Sequence, residues 1–141
     1  MEMEIRIDNK GFSFGDNRFI YSLYYFDSEK YDAPTYGGMF KKVLIECANA
    51  LQNATREDAP LFIPYAPDDQ ETECLKLSPL GERLVIERVT VKESGFNLNI
   101  DYLHEFITSP HEILAESGQM LGEFDWQEVI YALTNAEVMN D

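Results

Sequence analysis

Residues 84–91 read LVIERVTV, a run of aliphatic and β-branched side chains that is typical of a β-strand. Shortly downstream, residues 96–102 alternate apolar and polar side chains, which is the period of a strand with one buried face. Ser94 and Gly95 lie between the two segments. Two strands joined by a short glycine-containing loop form a β-hairpin. We therefore predict a hairpin here as part of a mainly antiparallel sheet.

Shorter segments with strand character precede this hairpin. Residues 3–7 alternate apolar and charged side chains, and residues 18–26 are rich in aromatic residues. An apolar strand begins at Leu61 and is expected to stop before Pro64, because proline cannot donate a hydrogen bond to a strand ladder. The predicted upstream strands are 3–7, 12–14, 18–26, 61–63 and 74–80.

Three helices are predicted. The first covers residues 39–53, where apolar side chains recur at the i, i+3, i+4, i+7 spacing of a buried helix face. The second is short and has Ser109 as its N-cap, with Pro110 at the first helical position. The third covers about residues 126–136 and has Asp125 as its N-cap.

The order of these elements favours an α+β fold in a single domain that spans residues 1–141. Runs of strands with few helices indicate a mainly antiparallel sheet, here of about five to six strands, with one central helix and two C-terminal helices. A chain of 141 residues is close to the commonest size of a single domain. Apolar residues make up 45% of it and aromatic residues 13%, a composition that supports one core and argues against disorder.

The C-terminal third carries charge of one sign. The chain holds 26 acidic residues against 11 basic ones, for a net charge of −15, and residues 93–141 contain ten carboxylates and no lysine or arginine. Acids on a surface helix are normally paired with bases three or four residues away, and this segment cannot supply them. Such a field attracts cations and repels nucleic acid and anionic membranes. We therefore expect a basic protein as the partner, with no direct contact to nucleic acid or membrane.

Acidic and aromatic side chains outside the expected core are the candidates for partner contact. Most are carboxylates of the C-terminal third, and others lie in the turn before the strand at 74–80. Two loop tyrosines join them because tyrosine is enriched at protein interfaces. The alternatives are a solvated acidic surface that only aids solubility, and tyrosines that pack in the core. The predicted partner-binding residues are Glu105, Glu112, Glu116, Glu123, Asp125, Glu128, Asp68, Asp69, Glu71, Tyr31 and Tyr36.

No motif for catalysis, a cofactor or a metal is found in the sequence. The acidic turn at 68–73 lacks the spacing of a calcium-binding EF-hand loop. His104 and His111 are seven residues apart, but Pro110 interrupts the helix that would bring them together. The two cysteines are expected to be reduced and buried. The chain is therefore predicted to have no catalytic, cofactor or metal site, and it is not expected to be an enzyme.

The first ten residues include no apolar signal region, so we expect a cytoplasmic protein. In size, acidity and this expected location, with carboxylates close to a tryptophan, the chain resembles the immunity proteins of bacterial toxin systems, including those of contact-dependent growth inhibition. The residues that carry the likeness are Glu105, Glu112, Glu116, Glu123, Asp125 and Trp126. The resemblance implies an inhibitor without catalytic activity whose partner is a cognate toxin domain, such as a nuclease.

Three other functions stay open. A DNA mimic of the anti-restriction type would carry carboxylates in rows at phosphate-like spacing. A small ligand-binding or enzymatic α+β domain would use a pocket on the sheet lined by Tyr21, Tyr25 and Phe96. An adaptor domain would use its acidity for solubility alone.

Overall fold

The computed structural model describes residues 3–22, 31–33, 35–54, 59–93, 101–114 and 118–139. Over these residues the fold is α+β, as predicted, but the strands form two four-stranded sheets instead of the single sheet expected. The strands are β1 (Ile5–Ile7), β2 (Gly11–Phe14), β3 (Asn17–Ile20), β4 (Leu61–Pro67), β5 (Thr72–Leu80), β6 (Arg83–Val91), β7 (Gln119–Asp125) and β8 (Glu137–Val138). The described helices are α1 (Tyr36–Asn53), α2 (Leu103–Thr108) and α3 (Trp126–Thr134).

The first sheet has the strand order β3-β2-β1-β8, and its inner face packs on α1 and on the second sheet. Phe12 of β2 joins the three layers, because its ring centroid lies 4.5 Å from that of Phe40 in α1 and 5.5 Å from that of Tyr65 in β4. Such aromatic contacts stabilise a core beyond the area that they bury. One hydrophobic cluster therefore includes both sheets and the central helix.

The second sheet has the order β4-β5-β6-β7, with every neighbouring pair antiparallel. The segment 84–91 is confirmed as a strand and lies between β5 and β7. A turn at Gly81 joins it to β5, and the φ of +61° at Gly81 is one that glycine adopts without strain. Most of the predicted hairpin partner lies outside the described residues, and its last residues, Asp101 and Tyr102, form a turn before α2.

Two features of the second sheet differ from the prediction. β4 does not stop at Pro64 but continues to Pro67, because it is an edge strand with a bulge between Pro64 and Ala66, where a missing amide proton is tolerated. β7 was not predicted, since the residues 119–125 carry few β-branched side chains. Pairing with β6 gives this segment its extended backbone, which shows how tertiary context outweighs strand propensity.

α1 confirms the predicted central helix and begins three residues earlier, at Tyr36. The hydroxyl of Thr35, its N-cap, accepts a hydrogen bond from the Gly38 amide at 3.0 Å. Gly37 allows a close approach to the first sheet, since a Cβ there would lie 3.0 Å from Val138 Cγ1. The buried residues of this helix include Met39, Phe40, Val43, Leu44, Cys47, Ala48 and Leu51.

α3 is joined to α1 by two hydrogen-bonded contacts. The indole nitrogen of Trp126 donates to the Leu51 carbonyl at 3.2 Å, and Trp126 is buried in the core. The ammonium of Lys41 donates to the carbonyls of Thr134 and Ala136 at 2.8 and 2.7 Å. A cation at this position satisfies carbonyls that the end of a helix leaves without partners.

The prediction of a helix that starts after Ser109 is wrong. The helix lies before this residue, and Ser109 is its C-cap, with its amide donating to the Glu105 carbonyl at 2.9 Å. Pro110 therefore follows a helix end instead of opening a helix. Further along, Ile113 forms an antiparallel bridge with Val91, so this segment runs beside the end of β6.

Candidate functional site

The predicted partner-binding carboxylates fall into two groups at opposite ends of β6. At about 3.3 Å per residue, Arg83 and Val91 are separated by about 26 Å along the strand. The group near Val91, which we name the Val91 end, consists of Asp68, Asp69, Glu71, Glu105 and Glu112, together with Glu93. The group near Arg83, which we name the Arg83 end, consists of Glu123, Asp125 and Glu128.

The turn between β4 and β5 brings its acids to the Val91 end, because the first residue of β5, Thr72, pairs with Val91. Asp68 Oδ1 accepts hydrogen bonds from the amides of Gln70 and Glu71 at 2.9 and 2.8 Å, and the Asp68 amide donates to the Glu71 carbonyl at 2.8 Å. An aspartate that bonds its own backbone in this way defines a tight turn. The turn therefore presents its carboxylates from a fixed backbone.

A second segment of the Val91 end is α2, whose exposed acid is Glu105. A groove of about 410 Å³ runs along this helix and the residues after it. Tyr102 stands at its rim with 53% of its surface exposed, whereas Phe106 is 6% exposed. The groove is lined by Glu93, Tyr102, Glu105, Phe106, Ser109, Pro110 and His111.

Glu112 lies beside the last residues of β6 and is only weakly neutralised. Its carbonyl accepts the Lys92 amide at 2.8 Å, and its carboxylate is 3.9 Å from the Lys92 ammonium. Both side chains are well exposed to solvent, and exposed ion pairs of this kind contribute little. The pair therefore leaves the negative field of the Val91 end largely in place.

The Arg83 end has a different character, because its acids are engaged by the fold. Asp125 is the N-cap of α3 and accepts hydrogen bonds from the amides of Gln127 and Glu128 at 3.0 and 3.1 Å. The carboxylate of Glu123 lies 3.6 Å from Arg83 Nε, and Arg83 also donates to the Glu123 carbonyl at 3.1 Å. Asp125 and Glu123 thus have structural contacts at this end, and Glu128 is exposed.

The predicted tyrosines do not join either acidic group. Tyr31 is completely buried, which favours the alternative that it packs in the core, and burial raises its pKa. Tyr36 is half exposed at the start of α1, where its ring meets Tyr21 edge-on with centroids 6.4 Å apart. Glu116, also predicted to contact the partner, lies outside the described residues.

The bases of the described residues are mostly placed away from the Val91 end. Arg18 pairs with Asp8 at 2.8 Å on the first sheet, and its hydrogen bond holds the pKa of that carboxyl at about 2. Arg88 is closer to the Val91 end and pairs with Glu73, which lies opposite Thr90. Within the described part of the chain, the base that contacts a carboxylate of the Val91 end is Lys92, which lies 3.9 Å from Glu112.

Of the residues that line the groove, only Glu105 was predicted to contact the partner, and Tyr102 and Glu93 are the exposed aromatic residue and the acid that the prediction missed. Tyr102 was assigned to a strand because it ends the alternating run 96–102, and an inward-facing strand tyrosine has no exposed ring. Glu93 precedes that run and was assigned to no element. The signal that could have identified Tyr102 is its spacing of three and four residues from Glu105 and Phe106, which is the spacing of one helix face.

Among the described residues, no group of three or more histidine, cysteine, aspartate or glutamate side chains is placed to hold a metal ion. His104 Nδ1 lies 3.3 Å from a Glu46 oxygen, while His111 packs between aromatic rings. Cys47 and Cys74 are free thiols in the core, and burial raises the pKa of each. In the part of the chain that is described, no helix is both long and apolar enough to cross a membrane.

Comparisons with protein families, curated proteins and solved structures find no match to this chain. The arrangement of its charged and aromatic side chains is therefore what bears on its function.

Proposed function

We propose that this chain is an inhibitory binding protein that neutralises a basic partner, and that the Val91 end is its contact surface. The observation that supports the proposal is that six carboxylates from three separate segments lie at one end of β6, where Lys92 contacts one of them, Glu112. The partner that best matches this surface is a nuclease toxin domain in the same compartment, the cytoplasm. Such a domain has a positive groove for the phosphate backbone of its substrate.

Electrostatic attraction gives such an inhibitor speed as well as affinity. Complementary charge raises association rates from about 10⁵–10⁶ to about 10⁸–10⁹ M⁻¹s⁻¹ at low salt. A net charge of −15 supplies the long-range attraction, and the Val91 end gives it a direction. Rapid capture suits a protein that must bind a lethal enzyme before the enzyme reaches nucleic acid. In this proposal the chain binds its partner and catalyses no reaction.

The backbone of the Val91 end is held in place before any partner arrives. The Thr72 hydroxyl donates to the Glu93 carbonyl at 2.8 Å, and the Lys92 amide donates to the Glu112 carbonyl at 2.8 Å. These bonds attach the turn, the end of β6 and the segment after α2 to one another. Ordering a flexible surface on binding costs free energy, so a prearranged surface retains more of its interaction energy.

The alternatives receive less support from the described residues. A DNA mimic needs carboxylates in continuous rows, whereas here two groups are separated by about 26 Å along a strand. For the enzymatic alternative, Tyr21 is buried with its hydroxyl donating to the Asp8 carbonyl, while Tyr25 and Phe96 lie outside the described residues. Among the described carboxyl groups, Asp8 has the strongly lowered pKa, of about 2. The cause is its hydrogen bond to Arg18 at a solvent-accessible position, and an active-site carboxyl would instead be expected in a deep pocket.

The proposal is tested with the protein encoded beside this chain, since an inhibitor and its toxin are expected to be made together. The two proteins are co-expressed and purified, and their association rate is measured by stopped flow from low to high salt. The variant Glu71→Gln/Glu105→Gln/Glu112→Gln removes three charges from the Val91 end. We expect slower association and a flatter salt dependence, because the attraction that steers the encounter is reduced.

The matched control is Glu123→Gln/Glu128→Gln/Glu137→Gln, which removes the same charge from other parts of the surface. We expect this control to change the association rate much less than the Val91-end variant does. Equal slowing by the two variants would show that only net charge matters and would count against a defined contact surface. If no basic neighbour binds the chain at all, the immunity role is wrong.

A further inference from the structure

We propose that the groove along α2 receives one arginine side chain of the partner, which stacks on Tyr102 and forms an ion pair with Glu105. This inference rests on the proposed function, because it names the chemical group that the Val91 end recognises. It concerns a groove with an aromatic rim and a carboxylate wall, and not the general acidity of the surface. It commits the partner to an arginine in preference to a lysine.

The groove residues share one helix face. Tyr102, Glu105, Phe106 and Ser109 follow one another at the i, i+3, i+4, i+7 spacing, so their side chains line one side of α2 and its caps. Phe106 closes the floor and belongs to the core, whereas the Tyr102 ring stands in solvent at the rim. The apolar ring and the carboxylate of Glu105 are therefore adjacent, with a dry surface beneath them.

The far wall of the groove is rigid. The His111 ring lies between Phe62 and Phe106, with centroid distances of 4.8 and 4.4 Å. Its Nε2 lies 2.7 Å from the Phe106 carbonyl, and since a carbonyl only accepts, this nitrogen carries the hydrogen. Pro110 precedes it with a fixed φ. A groove with such walls keeps its shape when a side chain enters.

Arginine fits this pairing of groups better than lysine does. A guanidinium is planar and weakly hydrated, so it stacks on an aromatic face while its N–H groups reach a carboxylate. An ammonium is a compact, strongly hydrated charge that gains less from the ring. A volume of about 410 Å³ is at the small end for ligand sites, which suits one side chain and not a whole cofactor.

The other grooves of the described residues suit a guanidinium less well. The groove between β1 and α3 contains Tyr131 and Glu128, but it also contains Arg6, which would repel a second cation. The groove beside Trp126 contains Asp125, whose carboxylate already accepts two amides of α3. Among the described residues that line the groove along α2, there is no lysine or arginine.

The experiment titrates the isotope-labelled full chain with N-acetyl-arginine methylamide and follows the backbone amides by two-dimensional NMR. The neutral control is the citrulline analogue, which has the same shape without the charge, and the lysine analogue tests the choice of cation. We expect saturable shifts at Tyr102, Glu105 and His111 with the arginine probe. The lysine probe should bind about threefold more weakly, and the citrulline probe should give no saturable shifts at these amides.

Variants of the rim give the decisive comparison. Tyr102→Leu removes the ring from an exposed position and should weaken the arginine probe about fivefold, while Tyr102→Phe should retain binding. The control Tyr131→Leu, at the other exposed tyrosine groove, should leave binding unchanged. Shifts that centre on the Arg83 end, equal binding of the citrulline probe, or a Tyr102→Leu variant that binds normally would each overturn the inference.

The two proposals can fail separately. If Tyr102→Leu leaves the partner complex intact while Glu71→Gln/Glu105→Gln/Glu112→Gln weakens it, the arginine site is wrong and the acidic contact surface stands. If the probe binds in the groove but no basic partner binds the chain, the inhibitory function is wrong and the groove is an arginine site of another kind.

Discussion

Replacing Asp125 with alanine tests whether the Arg83 end serves the fold instead of the contact surface. Asp125 Oδ1 accepts the amides of Gln127 and Glu128 at 3.0 and 3.1 Å, and alanine would leave both without this acceptor. Loss of an N-cap costs about 1 kcal/mol, and loss of a carboxylate at the positive end of a helix adds about 0.5 kcal/mol. For a domain of this size, about 1.5 kcal/mol lowers the melting temperature by about 5 °C.

The matched variant is Asp125→Asn, which keeps the oxygen acceptor and loses only the charge. It should therefore show about a third of the loss, or about 0.5 kcal/mol. Thermal unfolding followed by circular dichroism measures both variants, and stopped flow measures their association with the partner. We expect Asp125→Ala to be destabilised and to associate at nearly the wild-type rate. Equal destabilisation by the two variants, or slowing as large as that of the Val91-end variant, would refute this reasoning.

Three further predictions concern the charged side chains of the protein. Lys41→Met should lower the free energy of unfolding, measured by urea denaturation, by about 1–2 kcal/mol, because the carbonyls of Thr134 and Ala136 lose a charged donor. The control Lys42→Met should change it by no more than about 0.5 kcal/mol from wild type. An equal loss in both would contradict the capping role. Arg18→Gln should raise the pKa of Asp8 from about 2 toward 3.8, measured by carboxyl NMR. The pKa of Asp8 is lower in the folded state than in the unfolded state, so the pair contributes stability above pH 3.8 that is lost as the pH falls to about 2. The free energy of unfolding of Arg18→Gln should therefore depend less on pH between about 2 and 3.8. The pair is exposed, so the effect should stay below about 1 kcal/mol, and an acid profile identical to wild type would count against it. Finally, the melting temperature of the free protein should rise with salt, because ions screen repulsion beyond about 8 Å, and it should rise less in Glu71→Gln/Glu105→Gln/Glu112→Gln. A melting temperature indifferent to salt would show that self-repulsion is already offset.

The elements that local signals specify strongly were predictable. β6 is rich in β-branched residues, α1 has a long apolar stripe, and α3 has an aspartate N-cap before its stripe. Ser109 and Pro110 show where such signals become ambiguous, since proline is favoured both at the first position of a helix and just after its end. The amide of Ser109 donates back to Glu105, so the helix ends there, and a cap motif alone could not distinguish the two cases.

The candidate site was predicted only in part, because it depends on register between distant segments. Nothing local indicates that Asp68 and Glu112 share an end of the sheet, since 44 residues separate them. Pairing of Thr72 with Val91, and of Ile113 with Val91, brings both to that end. Glu123 is much closer to Glu112 in sequence but lies toward the opposite end, opposite Val85.

The positions of the bases bear on the choice between the proposed contact surface and a surface that serves solubility alone. Solubility requires net charge and is indifferent to where the charge lies. Here Arg18, Arg83 and Arg88 each lie within reach of a carboxylate. The pairs of Arg18 and Arg83 lie away from the Val91 end, whereas Glu73, the partner of Arg88, is opposite Thr90 and so lies close to it. At the Val91 end itself, Lys92 approaches Glu112 at 3.9 Å. The six carboxylates of the Val91 end still outnumber the base that contacts them, which is the charge distribution that the proposed capture of a cation requires.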